Sequence, residues 1–173
     1  IGSSILVLVV VSLDVLKLIF IGDPEYWQAM YIVPIILLAN FCLGIYQNLS
    51  VWYKVTDMTK FAAYISAVGA IITLLLNIIL IPNYSFLGSA LATLTAYFTM
   101  ALLSYIIGKK HYPIPYNTSK ILFYILLSAS LSSISFYGFR DNILVGIVCI
   151  LVMNLVILVK EKRQIIKLFN LIR

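Results

Sequence analysis

Apolar residues run through this sequence in long uncharged blocks. No charge interrupts residues 26–53, 61–108, 121–139 or 142–159. A helix needs about 20 apolar residues to cross a hydrocarbon core ~30 Å thick. Blocks this long and this uniformly apolar do not fit barrel strands, which alternate over about 10 residues. The block 61–108 is long enough for two spans, and Ile81-Pro82-Asn83 supplies a break, because Pro and Asn stop helices and favour turns. The pattern therefore predicts an all-α polytopic membrane protein with six transmembrane helices, at 1–21, 30–53, 61–81, 87–107, 121–137 and 143–159. Pro34 is expected to kink the second of them.

Composition removes the soluble alternative. Of 173 residues 63% are apolar and 10% charged, against about 45–50% and ~25% in soluble domains. A body this small still leaves roughly 30% of its unfolded-chain surface exposed, so the apolar excess cannot be hidden from water. A soluble enzyme and a disordered tail are both excluded.

The net charge of +6 first suggests nucleic acid, but the placement of the charges gives another account. Lys54, Lys60, Lys109, Lys110, Lys120, Lys160, Lys162, Arg163, Lys167 and Arg173 fall on one side of the predicted spans. Arg140 is the one basic residue in the opposite loops, which also carry Asp23, Glu25 and Asp141. The positive-inside rule puts the lysine-rich side and both chain ends in the cytoplasm. Topology and anionic lipid explain the excess without nucleic acid. The chain opens on Ile1 with no initiator Met and no charged leader, and is expected to be a fragment.

In the tail 160–173, Ile165, Leu168, Phe169 and Ile172 recur at helical spacing, with Arg163, Lys167 and Asn170 away from them. This predicts a short amphipathic helix on the inner leaflet, or a solvated basic tail that only fixes topology.

The polar residues inside the spans carry the functional information. Asn40, Gly44, Gln47 and Asn48 follow i, i+4, i+7, i+8 spacing and form one stripe. Ser66, Gly69, Ala70, Thr73 and Asn77 form a second on the next span. Small residues let helices approach, so packing is the simpler account of the Ser, Gly, Ala and Thr positions. For Asn40, Gln47, Asn48 and Asn77, interhelical hydrogen bonding and the lining of a hydrophilic path both stay open. Gly88, Ala92, Ala96 and Thr99 make a packing ridge, and Ser128, Ser132 and Ser135 share a face. Asp14 and Lys17 are the charges within a span. Their i, i+3 spacing lets them pair, and the pair is a candidate for ion coupling or for contact with an anionic substrate. Near the interface, Lys17 could equally snorkel into headgroups.

The usual marks of catalysis are missing. The sequence has no Gly-rich phosphate loop. His111 stands alone in a predicted loop, where surface decoration is the ordinary role. Cys42 and Cys149 have no metal-ligand spacing and are expected as buried thiols without a disulfide. Neither paired carboxylates nor a nucleophile–base set recurs at one face, so the sequence points away from an enzyme, with no cofactor and no metal.

The stretch 33–116 resembles a known family. It runs Val33-Pro34-Ile35-Ile36-Leu37-Leu38-Ala39-Asn40, then Gly44-Ile45-Tyr46-Gln47-Asn48-Leu49-Ser50-Val51-Trp52-Tyr53-Lys54. Leu76-Asn77-Ile78-Ile79-Leu80-Ile81-Pro82 and Leu87-Gly88-Ser89-Ala90-Leu91-Ala92-Thr93 follow in order, with Tyr112-Pro113-Ile114-Pro115-Tyr116 after them. These phrases resemble the C-terminal half of bacterial polysaccharide-biosynthesis membrane proteins. Those are the Wzx-type oligosaccharide (O-antigen) flippases of the MOP, or MATE-like, superfamily. One departure is Asn83-Tyr84-Ser85-Phe86, where many members carry a Gly.

The resemblance implies about fourteen helices in two lobes, of which this chain supplies the ninth to fourteenth. Residues 1–107 would be second-lobe helices, 108–120 a cytoplasmic loop, 121–159 a C-terminal helix pair and 160–173 the basic tail. It implies transfer of undecaprenyl-diphosphate-linked repeat units across the bacterial plasma membrane for O-antigen or capsule assembly. The coupling ion would be H+ or Na+. Membrane lipids, the missing N-terminal lobe, a polysaccharide polymerase and glycosyltransferases would be the partners. An ion-coupled drug or metabolite exporter of the same superfamily is the alternative, with Asp14 its candidate acidic residue. A membrane enzyme or noncatalytic scaffold of glycan assembly is a further one.

Overall fold

The computed structural model describes residues 2–14, 16, 30–112, 117–139 and 142–172, with backbone alone at 118, 143 and 163–172. Among the described residues there are helices and no strands. They form two compact units, one from Ile1–Gly22 with Thr118–Arg173 and one from Asp23–Asn117. Four helical stretches are long and apolar enough to cross a membrane: Met30–Val55, Lys60–His111, Ser119–Gly138 and Leu144–Lys162. Their outward surfaces are largely apolar: Ile78 is 71% exposed and Leu144 68%. Ser3, Ser50, Ser104, Ser128, Ser132 and Ser135 are buried instead. That inversion suits a lipid surround and makes the long helices compatible with a membrane protein.

The first unit contains α1 (Gly2–Val11), α5 (Thr118–Ser133) and α6 (Ile143–Ile172). Helix α1 covers the first half of the expected span 1–21, and Leu16 N–H still donates to Ser12 O at 2.9 Å beyond it; the later part of the span lies outside the described residues. Val7, Cys149 and Met153 form its buried centre, with Tyr124, Leu127 and Leu131 packed around them. The Ser4 hydroxyl donates to Asn154 Oδ1 at 2.9 Å, and a Cβ at Gly146 would stand 2.6 Å from Val11. These pairings run α1 antiparallel to α6. The serine face of α5 is buried, as its spacing suggests, and Ser128 returns its hydroxyl to the Ile125 carbonyl at 3.0 Å. A five-residue π-helical turn, Ile134–Gly138, follows, and Phe139 N–H donates to Ile134 O at 3.1 Å. Glu161 pairs with Lys120 and accepts from the Tyr124 hydroxyl at 3.1 Å, tying the start of α5 to the middle of α6. The tail is helical to Ile172 but continuous with α6 rather than a separate helix. No Gly or Pro lies between 159 and 172 to stop it.

The second unit contains α2 (Val33–Leu49), the short α3 (Val51–Val55) and α4 (Lys60–His111). Helix α4 has 52 residues, and one of them, Ser85, leaves helical geometry at φ 49°, ψ −129°. There the helix folds back. A Cβ on Gly88 would meet Leu80, one on Gly69 would meet Met100, and the Phe61 and His111 rings lie 4.9 Å apart. In a straight helix these pairs would be far apart, since each residue adds 1.5 Å. The two limbs of about 25 residues, each ~38 Å long at that rise, form an antiparallel hairpin. Helix α2 packs against the hairpin through Tyr46, Ile65, Met100 and Ala101.

Two expectations need correction. The break expected at Ile81-Pro82-Asn83 falls at Ser85, with Pro82 inside the helix. Proline removes one N–H near the end of the first limb but cannot itself adopt the positive φ that reverses the chain. Pro34 does not interrupt its helix. It occupies the first turn of α2, where its missing N–H has no helical acceptor to lose.

The positive φ of Ser85 falls in the segment where the family resemblance departs by lacking a Gly. A non-glycine residue in such geometry costs about 1–3 kcal/mol. Ser85→Gly should therefore raise the thermal unfolding midpoint in detergent. A lowered midpoint would show that Ser85 is at ease there.

Candidate functional site

Helix α2 divides sharply into two faces. Ala39, Cys42, Tyr46 and Leu49 are buried along one side. Asn40, Gln47 and Asn48 are exposed along the other, and an added Cβ on Gly44 would meet nothing within 4 Å. At 3.6 residues per turn the two sets lie on opposite sides of the helix. The polar stripe thus faces away from its own unit's core. Asn40 Nδ2 donates to the Ile36 carbonyl at 3.1 Å, and Asn48 Nδ2 to the Gly44 carbonyl at 2.9 Å. One amide hydrogen of each is thereby held along the helix, while the second hydrogen and the carbonyl oxygen remain available to another group. Ser50 ends the helix, its hydroxyl donating to the Gln47 carbonyl at 2.6 Å.

Asn77 belongs to the first limb of α4 and is half-buried, and its Oδ1 is buried without a hydrogen-bond partner. Two other members of its stripe serve packing or stay local. Gly69 is buried against Met100, and the Thr73 hydroxyl returns to the Gly69 carbonyl at 2.9 Å. Asp14 is half-buried and lies in the first unit, whereas Lys17 lies outside the described residues. The structure thus gathers Asn40, Gln47 and Asn48 on one face and leaves Asn77 on a neighbouring helix. Cys42 and Cys149 are both free and buried. Among the described residues no group of three His, Cys, Asp or Glu side chains could hold a metal.

A second polar feature lies at the open end of the hairpin. Trp52 packs there against Tyr53, Phe61 and His111, with ring centroids 5.3, 5.5 and 5.8 Å away. His111, expected as an isolated loop residue, is the last residue of α4. It stacks on Trp52 and donates from Nδ1 to the Ile107 carbonyl at 3.0 Å. Beside this cluster Leu49, Trp52, Ser104, Tyr105, Gly108, Lys109 and Tyr112 line a small pocket of about 10 Å³, room for about one water molecule. Trp52 is 2% exposed and Ser104 0%. Trp52 Nε1 and Ser104 Oγ are buried without hydrogen-bond partners.

Sequence reasoning used Trp52 only as part of a family phrase and passed over Ser104 and Gly108. Their i, i+4 spacing, followed at once by Lys109, is the available signal. It is faint, because the same spacing commonly marks helix packing.

No protein-family model, no curated protein and no solved structure matches the chain.

Proposed function

We propose that this chain is the C-terminal portion of a two-lobed, MATE-like flippase that moves undecaprenyl-diphosphate-linked oligosaccharide across the bacterial plasma membrane. Six spans are counted in this reading, with the two limbs of α4 crossing separately and the lysine-rich side in the cytoplasm. The observation that carries it is the stripe Asn40, Gln47 and Asn48 on the face of α2 turned away from its own core. Amides on a membrane-spanning face need polar surroundings, since embedded polar groups normally face other helices or a wet cavity. A sugar crossing hydrocarbon has the matching problem, because each unpaired hydroxyl costs several kcal/mol. Side-chain amides offer both donors and acceptors, which suits hydroxyls that do both. The family phrases over 33–116 supply the substrate class. Asn77 would extend the cavity wall, and Asp14 with Lys17 would couple transport to H+ or Na+ or meet the diphosphate. A polymerase and glycosyltransferases would act beside the transporter.

The test begins with the gene. A continuous upstream frame encoding about eight further spans is expected. Deleting the whole frame should abolish surface polysaccharide and accumulate lipid-linked repeat units in the cytoplasmic leaflet. Unchanged polysaccharide with altered export of drugs or metabolites would move the chain to the exporters.

A further inference from the structure

We infer that α6 is the contact surface of a parallel homodimer. Its outward face pairs with the same face of a second copy of this chain, as a two-stranded coiled coil that continues beyond the membrane. This inference rests on α6 as a membrane-spanning helix and does not depend on the transport reading.

The face follows a seven-residue repeat. Leu144, Leu151, Leu158, Ile165 and Ile172 recur every seventh residue, and Val148, Leu155, Lys162 and Phe169 fall between them. In heptad notation the first set takes the d positions and the second the a positions, over four heptads. Inside the span nearly every residue is apolar, so exposure there is the informative fact. Leu144, Val148, Leu151, Leu155 and Leu158 are all more than half exposed, and Lys162 is exposed as well. On the other side of the helix, Cys149, Met153 and Ile157 pack into their own unit. Past the span the sequence becomes selective. Arg163, Gln164, Lys167 and Asn170 take the b, c, f and b positions, the outer side of a coiled coil, while Ile166 and Leu168 flank the seam at e and g. A single Lys at an a position, here Lys162, sets register and oligomer state at a cost in stability.

Length decides what can cover this face. Helix α6 has 30 residues, about 45 Å at 1.5 Å per residue, against a hydrocarbon core ~30 Å thick. Lipid tails cover the face only inside the core, so the last turns extend past them. Laying those turns on the leaflet needs a kink, and no Gly or Pro between 159 and 172 supplies one. Helix α5 does not reach them either. It begins at Thr118, just before Lys120, and Lys120 already pairs with Glu161. The partner must therefore offer an apolar seam at the same depth, both through the span and beyond it. A second copy inserted the same way does so by symmetry, and two-fold pairs are the commonest closed assembly.

Cysteine scanning of the 173-residue chain in phosphatidylcholine liposomes gives a direct readout. After mild oxidation, Leu151→Cys, Leu158→Cys, Ile165→Cys and Phe169→Cys should cross-link copy to copy. Lys160→Cys, Arg163→Cys and Lys167→Cys, on the outer side, should cross-link several-fold less, because a disulfide needs close Cβ atoms. The parent chain, whose Cys42 and Cys149 are buried, should give no cross-linked dimer. A second measurement uses energy transfer between copies labelled at the N-terminus with donor or acceptor. Ile165→Asn with Phe169→Asn should weaken association about tenfold or more, from the apolar area lost, with helix content unchanged. Lys162→Leu should strengthen it. Equal cross-linking at seam and outer positions would overturn the inference, as would energy transfer that neither variant changes. No cross-linking at any position would also overturn it, and would give the face to lipid or to a different protein.

Discussion

Gly88→Ala should destabilise the second unit by about 1–3 kcal/mol, as overpacking of a close contact does, and should splay the α4 hairpin. The added methyl carbon would lie 2.6 Å from the Leu80 carbonyl oxygen and 2.7 Å from its carbon. Both atoms are backbone, so neither can rotate aside and the limbs themselves must separate. Gly69 is also crowded, but its neighbour is the flexible Met100 side chain, which can swing away. Gly44 has nothing within 4 Å. There Ala should be neutral or stabilise by about 0.5–1 kcal/mol through helix propensity. Spin labels at the exposed positions Tyr64 and Ile106 report the limb separation. The distance should lengthen or broaden in Gly88→Ala and stay unchanged in Gly44→Ala. Equal distances and equal unfolding midpoints in the two variants would show that the hairpin does not depend on close approach at Gly88.

The contrast between these glycines marks how far the sequence could be read. Hydropathy identified the long apolar helices because their exposed surfaces are rich in large apolar side chains, whichever neighbours they have. Helical spacing identified Gly88, Ala92 and Ala96 as packing residues, and they are buried. It likewise found the serine face of α5. The chain reversal was misplaced by a few residues because Pro82 is the obvious breaker, while backbone geometry at Ser85 does the turning. Nor could spacing tell that α1 has its packing partners in the C-terminal pair, since contacts between distant segments leave no periodic trace. At the candidate site, spacing put Asn40, Gln47 and Asn48 on one face but could not say which way that face turned. Ser104 and Trp52 were illegible as a pair, because only the folded hairpin brings residues 52 and 104 to one pocket.

The second large effect falls on that open face of α2. Asn40→Leu with Gln47→Leu should leave the fold intact, since both side chains point away from the unit's core. Leucine is at home in lipid and in helices. Under the proposed function, what the pair removes is hydrogen bonding to a passing polar substrate. Each net hydrogen bond contributes about 0.5–1.5 kcal/mol, and a sugar hydroxyl left unpaired costs about 1–3 kcal/mol. Loss of both amides therefore predicts a drop in transport of about tenfold or more, at 1.36 kcal/mol per decade of rate. Gly44→Ala on the same face adds bulk without removing a polar group, and should reduce transport less.

The central claim is that this polar face of α2 is a wall of the substrate path. The measurement that tests it most directly is surface polysaccharide in a flippase-deleted bacterium complemented with the full-length protein carrying Asn40→Leu and Gln47→Leu, with protein level checked by immunoblot. At normal protein levels, surface polysaccharide about tenfold or more below wild type is the predicted result. Wild-type polysaccharide at normal protein levels would contradict it and return Asn40 and Gln47 to a packing role.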